Sequence, residues 1–160
     1  FLGLNLYNGR YIRHDEASPQ GWSEVPCAEP YPHMPIYWLS IAPQVLYWVP
    51  RFATELWEPA NIYITENGCP YPDQPDADGE IWDTARVMYL QQYLIHLHRA
   101  VADGLPVRGY FLWTLMDNFE WAFGYTKRFG ICYTDFATQS RTPKLSARFY
   151  RDVIRRNAIG

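Results

Sequence analysis

Charge is scarce in this chain, and what there is forms no block. Charged residues make up 19% of 160 positions, 14 basic against 17 acidic, for a formal net charge of -3. No run of Lys or Arg is dense enough to grip a phosphate backbone, so a nucleic-acid surface is excluded. Cysteine is nearly missing too. Cys27, Cys69 and Cys132 stand far apart, without metal-ligand spacing. Their odd number argues against a disulfide framework and favours a reducing compartment, the cytoplasm. No apolar run approaches the ~18 residues of a membrane span, and no signal-peptide pattern opens the chain. His14, His33, His96 and His98 show no metal spacing, and two helical residues two apart do not face each other. No metal or cofactor is expected, and no membrane partner.

Aromatic rings are in excess. Seven Trp, thirteen Tyr and eight Phe make 18% of the chain, within a hydrophobic content of 48%. That content excludes a disordered tail, and the length allows a core. So many rings serve either a large core or stacking on the apolar C–H faces of sugars.

Residues 1–7 read as a buried strand closed by Asn8-Gly9. Residues 14–35 read as a long loop. Pro43 opens a helix with Val45, Leu46, Val49, Phe52, Ala53 and Leu56 apolar, and Pro50 predicts a kink or a new first turn within it. Residues 62–65 form a second strand. Asp83 is placed to cap a helix reaching Ala102, with Val87, Leu90, Leu94, Leu97 and Val101 at helical spacing. Residues 107–115 form a third strand and 129–136 a short extended segment. Pro143 starts a last helix, with Ala147, Tyr150, Val153 and Ile154 inward. Buried strands alternating with amphipathic helices predict parallel α/β architecture. No Gly-x-Gly-x-x-Gly or phosphate-loop motif opens a helix. Polar groups at three successive strand ends fit the rim of a β/α barrel better than the switch point of a doubly wound sheet.

Those strand ends carry the candidate chemistry. Glu66 closes the second strand, where a backbone-held carboxylate can attack an anomeric carbon. Asn5 and Tyr7 share one face of the first strand; a phenol there can orient the Glu66 carboxylate, and Asn5 can donate to it or to a sugar hydroxyl. Glu120 can accept from adjacent sugar hydroxyls, Trp121 offers an indole N–H, and Trp113 offers a flat face. Asp117 and Asn118 are expected to shape the turn.

The runs Tyr63-Ile64-Thr65-Glu66-Asn67-Gly68 and Trp113-Thr114-Leu115-Met116-Asp117-Asn118-Phe119-Glu120-Trp121 resemble the nucleophile and sugar-binding motifs of family 1 glycoside hydrolases, the retaining β-glucosidases and β-galactosidases. Residues 1–7, Arg128-Phe129-Gly130-Ile131 and Thr142-Pro143-Lys144-Leu145-Ser146-Ala147 resemble further signatures, in the family's order. The resemblance implies strands six to eight of a (β/α)8 barrel, with residues 1–160 as the C-terminal part of one barrel domain. Glu66 would be the nucleophile, Tyr7 its hydrogen-bond donor and Asn5 part of its polar shell. Trp113 would be the sugar platform, Glu120 would hold O4 and O6, Trp121 would bind O3, and Phe129 would line the same pocket. A carboxylate at position 120 would repel a phosphorylated sugar.

Two departures matter. Where the family often has Gly-Trp before an Ile-x-Pro-Glu element, Trp38 lies one position early, Leu39 takes its place and Gln44 replaces the Glu. The aglycone role is therefore not assigned to Trp38. The Asn-Glu-Pro motif carrying the family's acid/base Glu does not occur in this sequence. The expected partners are a β-glycoside substrate and an N-terminal part of the same barrel that supplies this Glu. Three parallel strands would leave one open edge. The alternatives are a noncatalytic sugar-binding barrel and a structural fragment, inactive by itself.

Overall fold

The computed structural model describes residues 1–26 and 34–159. Residues 27–33 of the expected 14–35 loop, with Cys27 and His33, lie outside the described residues. The chain forms strands β1 (Leu2–Asn5), β2 (Tyr11–His14) and β3 (Trp22–Val25), then helix α1 (Val45–Trp57). Strand β4 (Ile62–Asn67), helix α2 (Thr84–Ala102) and strand β5 (Val107–Leu112) follow. A 3-10 turn at Trp121–Phe123 precedes β6 (Cys132–Thr134), β7 (Arg141–Pro143) and helix α3 (Leu145–Arg156). The main sheet has the order β1-β4-β5, all parallel. Parallel neighbours need long crossovers, and α1 and α2 supply them.

This sheet is covered on one side only. Ile62 and Ile64 are fully buried and Val107 nearly so, on the side of the helices. On the other side Phe1 is 90% and Phe111 58% exposed, with Tyr63 edge-on to Phe1. Both outer strands, β1 and β5, end the sheet among the described residues, so there are two open edges rather than one. All-parallel sheets occur almost only with both faces covered.

Several local expectations are revised. Part of the 14–35 loop is a hairpin, β2 pairing antiparallel with β3. Asp15 accepts the Ser18 N–H on its carbonyl and the Ala17 N–H on its side chain, and Gly21 takes a positive φ of 77°. Turn chemistry, hidden among Pro and Ser, made the hairpin. Pro50 neither ends nor restarts a helix; it is buried inside a single α1, where packing outweighs the lost N–H. Of the apolar residues of α1, Phe52 and Leu56 are exposed. On α2 the buried stripe is Tyr89, Leu90, Tyr93, Leu94, Leu97 and Ala100, while Val101 is exposed. Ile154 of α3 is also exposed, and Ala147, Tyr150 and Val153 are half-buried. β5 stops at Leu112 because the chain then leaves to pair with residues 129–132. No helix among the described residues is long and apolar enough to cross a membrane.

Asp83 stands at the α2 N-cap without capping it. Its carboxylate instead accepts from Arg86 and from the Ser146 hydroxyl and backbone N–H. It belongs to a buried charge cluster. Arg86 also donates to Asp73 (2.9 Å). Lys144 donates to Asp73 and to Asp117 (2.9 Å), and Arg128 to Asp117 (2.7 Å). Asp73, Asp83, Asp117, Arg86 and Lys144 are all buried. Burial pushes the Lys144 ammonium down and Arg86 adds to the push, while Asp73 and Asp117 oppose it. With Asp73→Ala, Arg86 and Lys144 each lose a buried counter-ion. We expect stability to fall by about 3–5 kcal/mol, read from the urea denaturation midpoint; a loss under about 1 kcal/mol would mean that the cluster is not cooperative.

Candidate active site

Glu66 owes its orientation to an irregularity in β4. Strand residues alternate between faces, which would turn Glu66 to the helix side along with Ile62 and Ile64. The register forbids this: Leu4 pairs with Ile64 but Asn5 with Glu66, so Thr65 is extra. A bulge of this kind re-aims the residues after it. Glu66 then meets Tyr7, whose hydroxyl donates to its Oε2 at 2.9 Å. Asn67 turns to the helix side and is fully buried.

Asn67 ties the local structure together. Its amide donates to the Leu6 carbonyl (2.7 Å) and the Tyr89 hydroxyl (3.0 Å). Its Oδ1 accepts from the Tyr110 hydroxyl (2.7 Å). One side chain thus joins the ends of β1 and β4, the middle of β5 and helix α2. Tyr93 stacks on Tyr89 at 3.9 Å, donates to the Tyr7 carbonyl (2.8 Å) and accepts from the Ala42 N–H (2.9 Å). Burial holds the phenols of Tyr89 and Tyr110 well above the ordinary range, so they stay neutral donors. The same holds for Tyr7, raised first by burial and then by its hydrogen bond to Glu66.

Gly68 follows because nothing larger fits. A Cβ there would lie 1.8 Å from the Trp113 carbonyl oxygen. Trp113 continues the β5 side, its N–H bonded to the Asn67 carbonyl (2.9 Å), and then a cis Trp113–Thr114 peptide turns the chain. The Trp113 indole N–H donates weakly to Glu120 (3.4 Å). Burial raises Glu120 above the usual carboxylate range; the Trp113 hydrogen bond opposes this and the Glu66 charge adds to it. Asp117 shapes the turn as expected, accepting from the N–H groups of Gly130 (3.0 Å) and Thr134 (3.3 Å) as well as from Arg128 and Lys144.

The structure thus brings Glu66, Tyr7, Trp113 and Glu120 together at the C-terminal ends of β1, β4 and β5. Three predicted residues stand differently. Asn5 accepts from the Thr65 hydroxyl (2.7 Å), one residue from Glu66 rather than on its carboxylate. Trp121 is 79% exposed at a left-handed φ of 43°. Phe129 is buried in the core, with its carbonyl accepting the Thr114 N–H (3.3 Å). It supports the Trp113 segment instead of presenting surface. Sequence reasoning missed Asn67 and its tyrosines; the Tyr89/Tyr93 spacing of four on a helix was the available signal. Trp38, left unassigned, lies edge-on to Tyr7 at 5.6 Å. No group of three or more His, Cys, Asp or Glu suited to a metal occurs among the described residues. Cys69 is buried, its thiol pushed up to about 12 by burial, and is no nucleophile.

Three parallel βα units with carboxylates on the C-terminal rim define part of a (β/α)8 glycosidase barrel. A model of glycosyl hydrolase family 1 matches residues 1–159, and the chain belongs to that family. It is 41% identical over 159 residues to a 1,4-beta-D-glucan glucohydrolase of Thermotoga neapolitana, covering 99% of this chain and 35% of that protein. Beta-glucosidase 1 of Oryza sativa is 35% identical over 96% of this chain and 32% of its own length. The solved family 1 β-glucosidase of Thermotoga maritima superimposes with a TM-score of 0.88 at 38% identity, over 99% of this chain and 35% of that one. A complex of that enzyme with glucoimidazole gives 0.87, over 98% and 34%. The chain therefore spans about a third of the length of the relatives it matches, and its fold is the C-terminal portion of the barrel.

Replacing Asn67 by Ala leaves the Tyr110 hydroxyl and the Leu6 carbonyl buried without their partner. We expect a loss of about 2–4 kcal/mol in chemical denaturation. A loss within ~0.5 kcal/mol would mean that Asn67 does not organise the strand ends.

Proposed function

We propose that this chain carries the nucleophile of a retaining β-glucosidase acting on terminal, non-reducing, unphosphorylated β-D-glucosyl residues. The observation that carries the proposal is the Tyr7–Glu66 hydrogen bond at a bulged strand end. Tyr7 orients the carboxylate without giving up its proton, since burial keeps its phenol neutral. Glu66 attacks C1 of the sugar. The bond from C1 to the leaving oxygen breaks, and that oxygen takes a proton from a carboxylic acid. The acid belongs to a complementary N-terminal part of the barrel. Water, deprotonated by the same residue, then releases the sugar with its configuration retained.

Glu120, which accepts a weak hydrogen bond from the Trp113 indole, also accepts hydroxyls of the non-reducing sugar and disfavours a phosphate there. Trp113 offers its face to the sugar ring. Asn5 lies in the polar shell around the nucleophile, Trp121 joins the pocket once the barrel is closed, and Phe129 supports the pocket from the core. The bare sheet face supports a complementary part, because parallel sheets are covered on both sides. Cys69 and Cys132 are free thiols, in keeping with a cytoplasmic setting.

In the closed barrel, a 2-deoxy-2-fluoro-β-glucoside with a good leaving group should accumulate as an ester on Glu66, found by peptide mass. Glu66→Gly should lose more than about a thousandfold in turnover, and azide should restore it as the α-glucosyl azide. Normal turnover by Glu66→Gly, or an adduct on another residue, would sink the assignment. The 160-residue chain alone should show no turnover and should self-associate in light scattering; activity from a monomer near 18.8 kDa would remove the need for a partner.

A further inference from the structure

We propose that Tyr93 is a positioning residue for the nucleophile: its hydroxyl sets the direction of the Tyr7 side chain, and through it the aim of Glu66. The inference rests on the β-glucosidase reading and adds to it a residue of helix α2 that meets no substrate. Tyr7 needs such help because it lies beyond the strand. β1 ends at Asn5, and the Leu6 N–H still reaches the Glu66 carbonyl (2.8 Å). From there side chains hold the main chain. Peptide units are planar, so the direction of a side chain follows from the two peptide planes that flank its Cα. Before Tyr7, the Leu6 carbonyl accepts from the Asn67 amide (2.7 Å). After it, the Tyr7 carbonyl accepts from the Tyr93 hydroxyl (2.8 Å), with the Tyr89 hydroxyl at a weaker 3.4 Å. With both planes pinned, the Tyr7 phenol is delivered to Glu66 Oε2 at 2.9 Å. The Trp38 ring stands edge-on beside it at 5.6 Å.

The Tyr93 hydroxyl is itself fixed. The buried Ala42 N–H donates to it at 2.9 Å, so its own proton is left for the Tyr7 carbonyl. The ring is fully buried and stacks on Tyr89 with centroids 3.9 Å apart. Phenylalanine would fill the same space, and a buried hydroxyl costs free energy unless it is bonded. This one bonds two main-chain groups, one on Tyr7 and one on the segment that carries Trp38. Tyr93 therefore ties the donor of Glu66 to the wall beside it.

The test is a double-mutant cycle on the two hydroxyls, in the closed barrel, with 2,4-dinitrophenyl β-glucoside as donor. Tyr7→Phe and Tyr93→Phe should each lower kcat/KM. The second should cost about ten- to hundredfold, the size of a small misplacement of a reacting group. Glucose should inhibit with a Ki changed less than about twofold, since ground-state binding is not what is lost. In the Tyr7→Phe background, removing the Tyr93 hydroxyl should cost less than about twofold more, because nothing is left to aim. Incorporating 4-aminophenylalanine at position 93 keeps a donor in place and should restore most of the rate. Tyr47→Phe is the structural control. It strips a buried hydroxyl that donates to Asp103 (2.8 Å) at the end of α2, and should lower the denaturation midpoint with kcat/KM unchanged. Equal losses from Tyr93→Phe in both backgrounds would mark a purely structural role and overturn the proposal. So would an undiminished kcat/KM in Tyr93→Phe or in Tyr7→Phe. A wild-type barrel that leaves the dinitrophenyl glucoside intact would overturn the β-glucosidase reading itself, and the positioning role would fall with it.

Discussion

The rest of the structure depends on a cluster of buried charges that no single element contains. Asp73 lies in the segment after β4, Asp83 and Arg86 at the start of α2, Asp117 after β5, Arg128 before β6 and Lys144 before α3. Charges taken out of water are tolerable only when paired and hydrogen-bonded. Each segment therefore has its position dictated by the others. Because these segments also hold Trp113 and Glu120, the cluster works as the rigid foundation of the rim. A loop free of such ties would leave its side chains loose, and small misplacements of reacting groups are costly.

Glu66 is held in a second way, through neutral groups. Asn67, Tyr89, Tyr93 and Tyr110 satisfy one another across three strands and a helix. Charge fixes the loops and phenols fix the strand ends. The nucleophile sits where the two systems meet, between the backbone bonds of Leu6 to Glu66 and of Trp113 to Asn67.

The architecture was legible in the sequence because buried parallel strands are short, continuous and apolar, as residues 62–65 are. Glu66, Tyr7, Trp113 and Glu120 were legible because a few residue types at strand ends carry the chemistry. What escaped depends on distance along the chain. Lys144 reads as a surface residue until Asp73 and Asp117, far away in sequence, are folded around it. Tyr89 and Tyr93 read as polar until their hydroxyls find Asn67 and Tyr7. The stripe drawn on α2 from aliphatic residues alone was therefore rotated toward Val101. Asn5, Trp121 and Phe129 illustrate a different limit. Asn5 and Trp121 are exposed, with surroundings only partly built by this chain, whereas the role of Phe129 was carried over from a motif and its ring went into the core.

The extra residue at Thr65 makes the spacing of the Ile-Thr-Glu-Asn run a matter of parity. Between Ile64 and Glu66 the strand must hold one residue more than its neighbours do. Drawing Thr65 into the regular ladder, with no bulge, would exchange the addresses of the two polar side chains, sending a carboxylate among the tyrosines and an amide toward the sugar. The motif is therefore constrained in pairing register as tightly as in composition. A one-residue slip of that pairing would do more damage than most substitutions, although every chemical group would still be present.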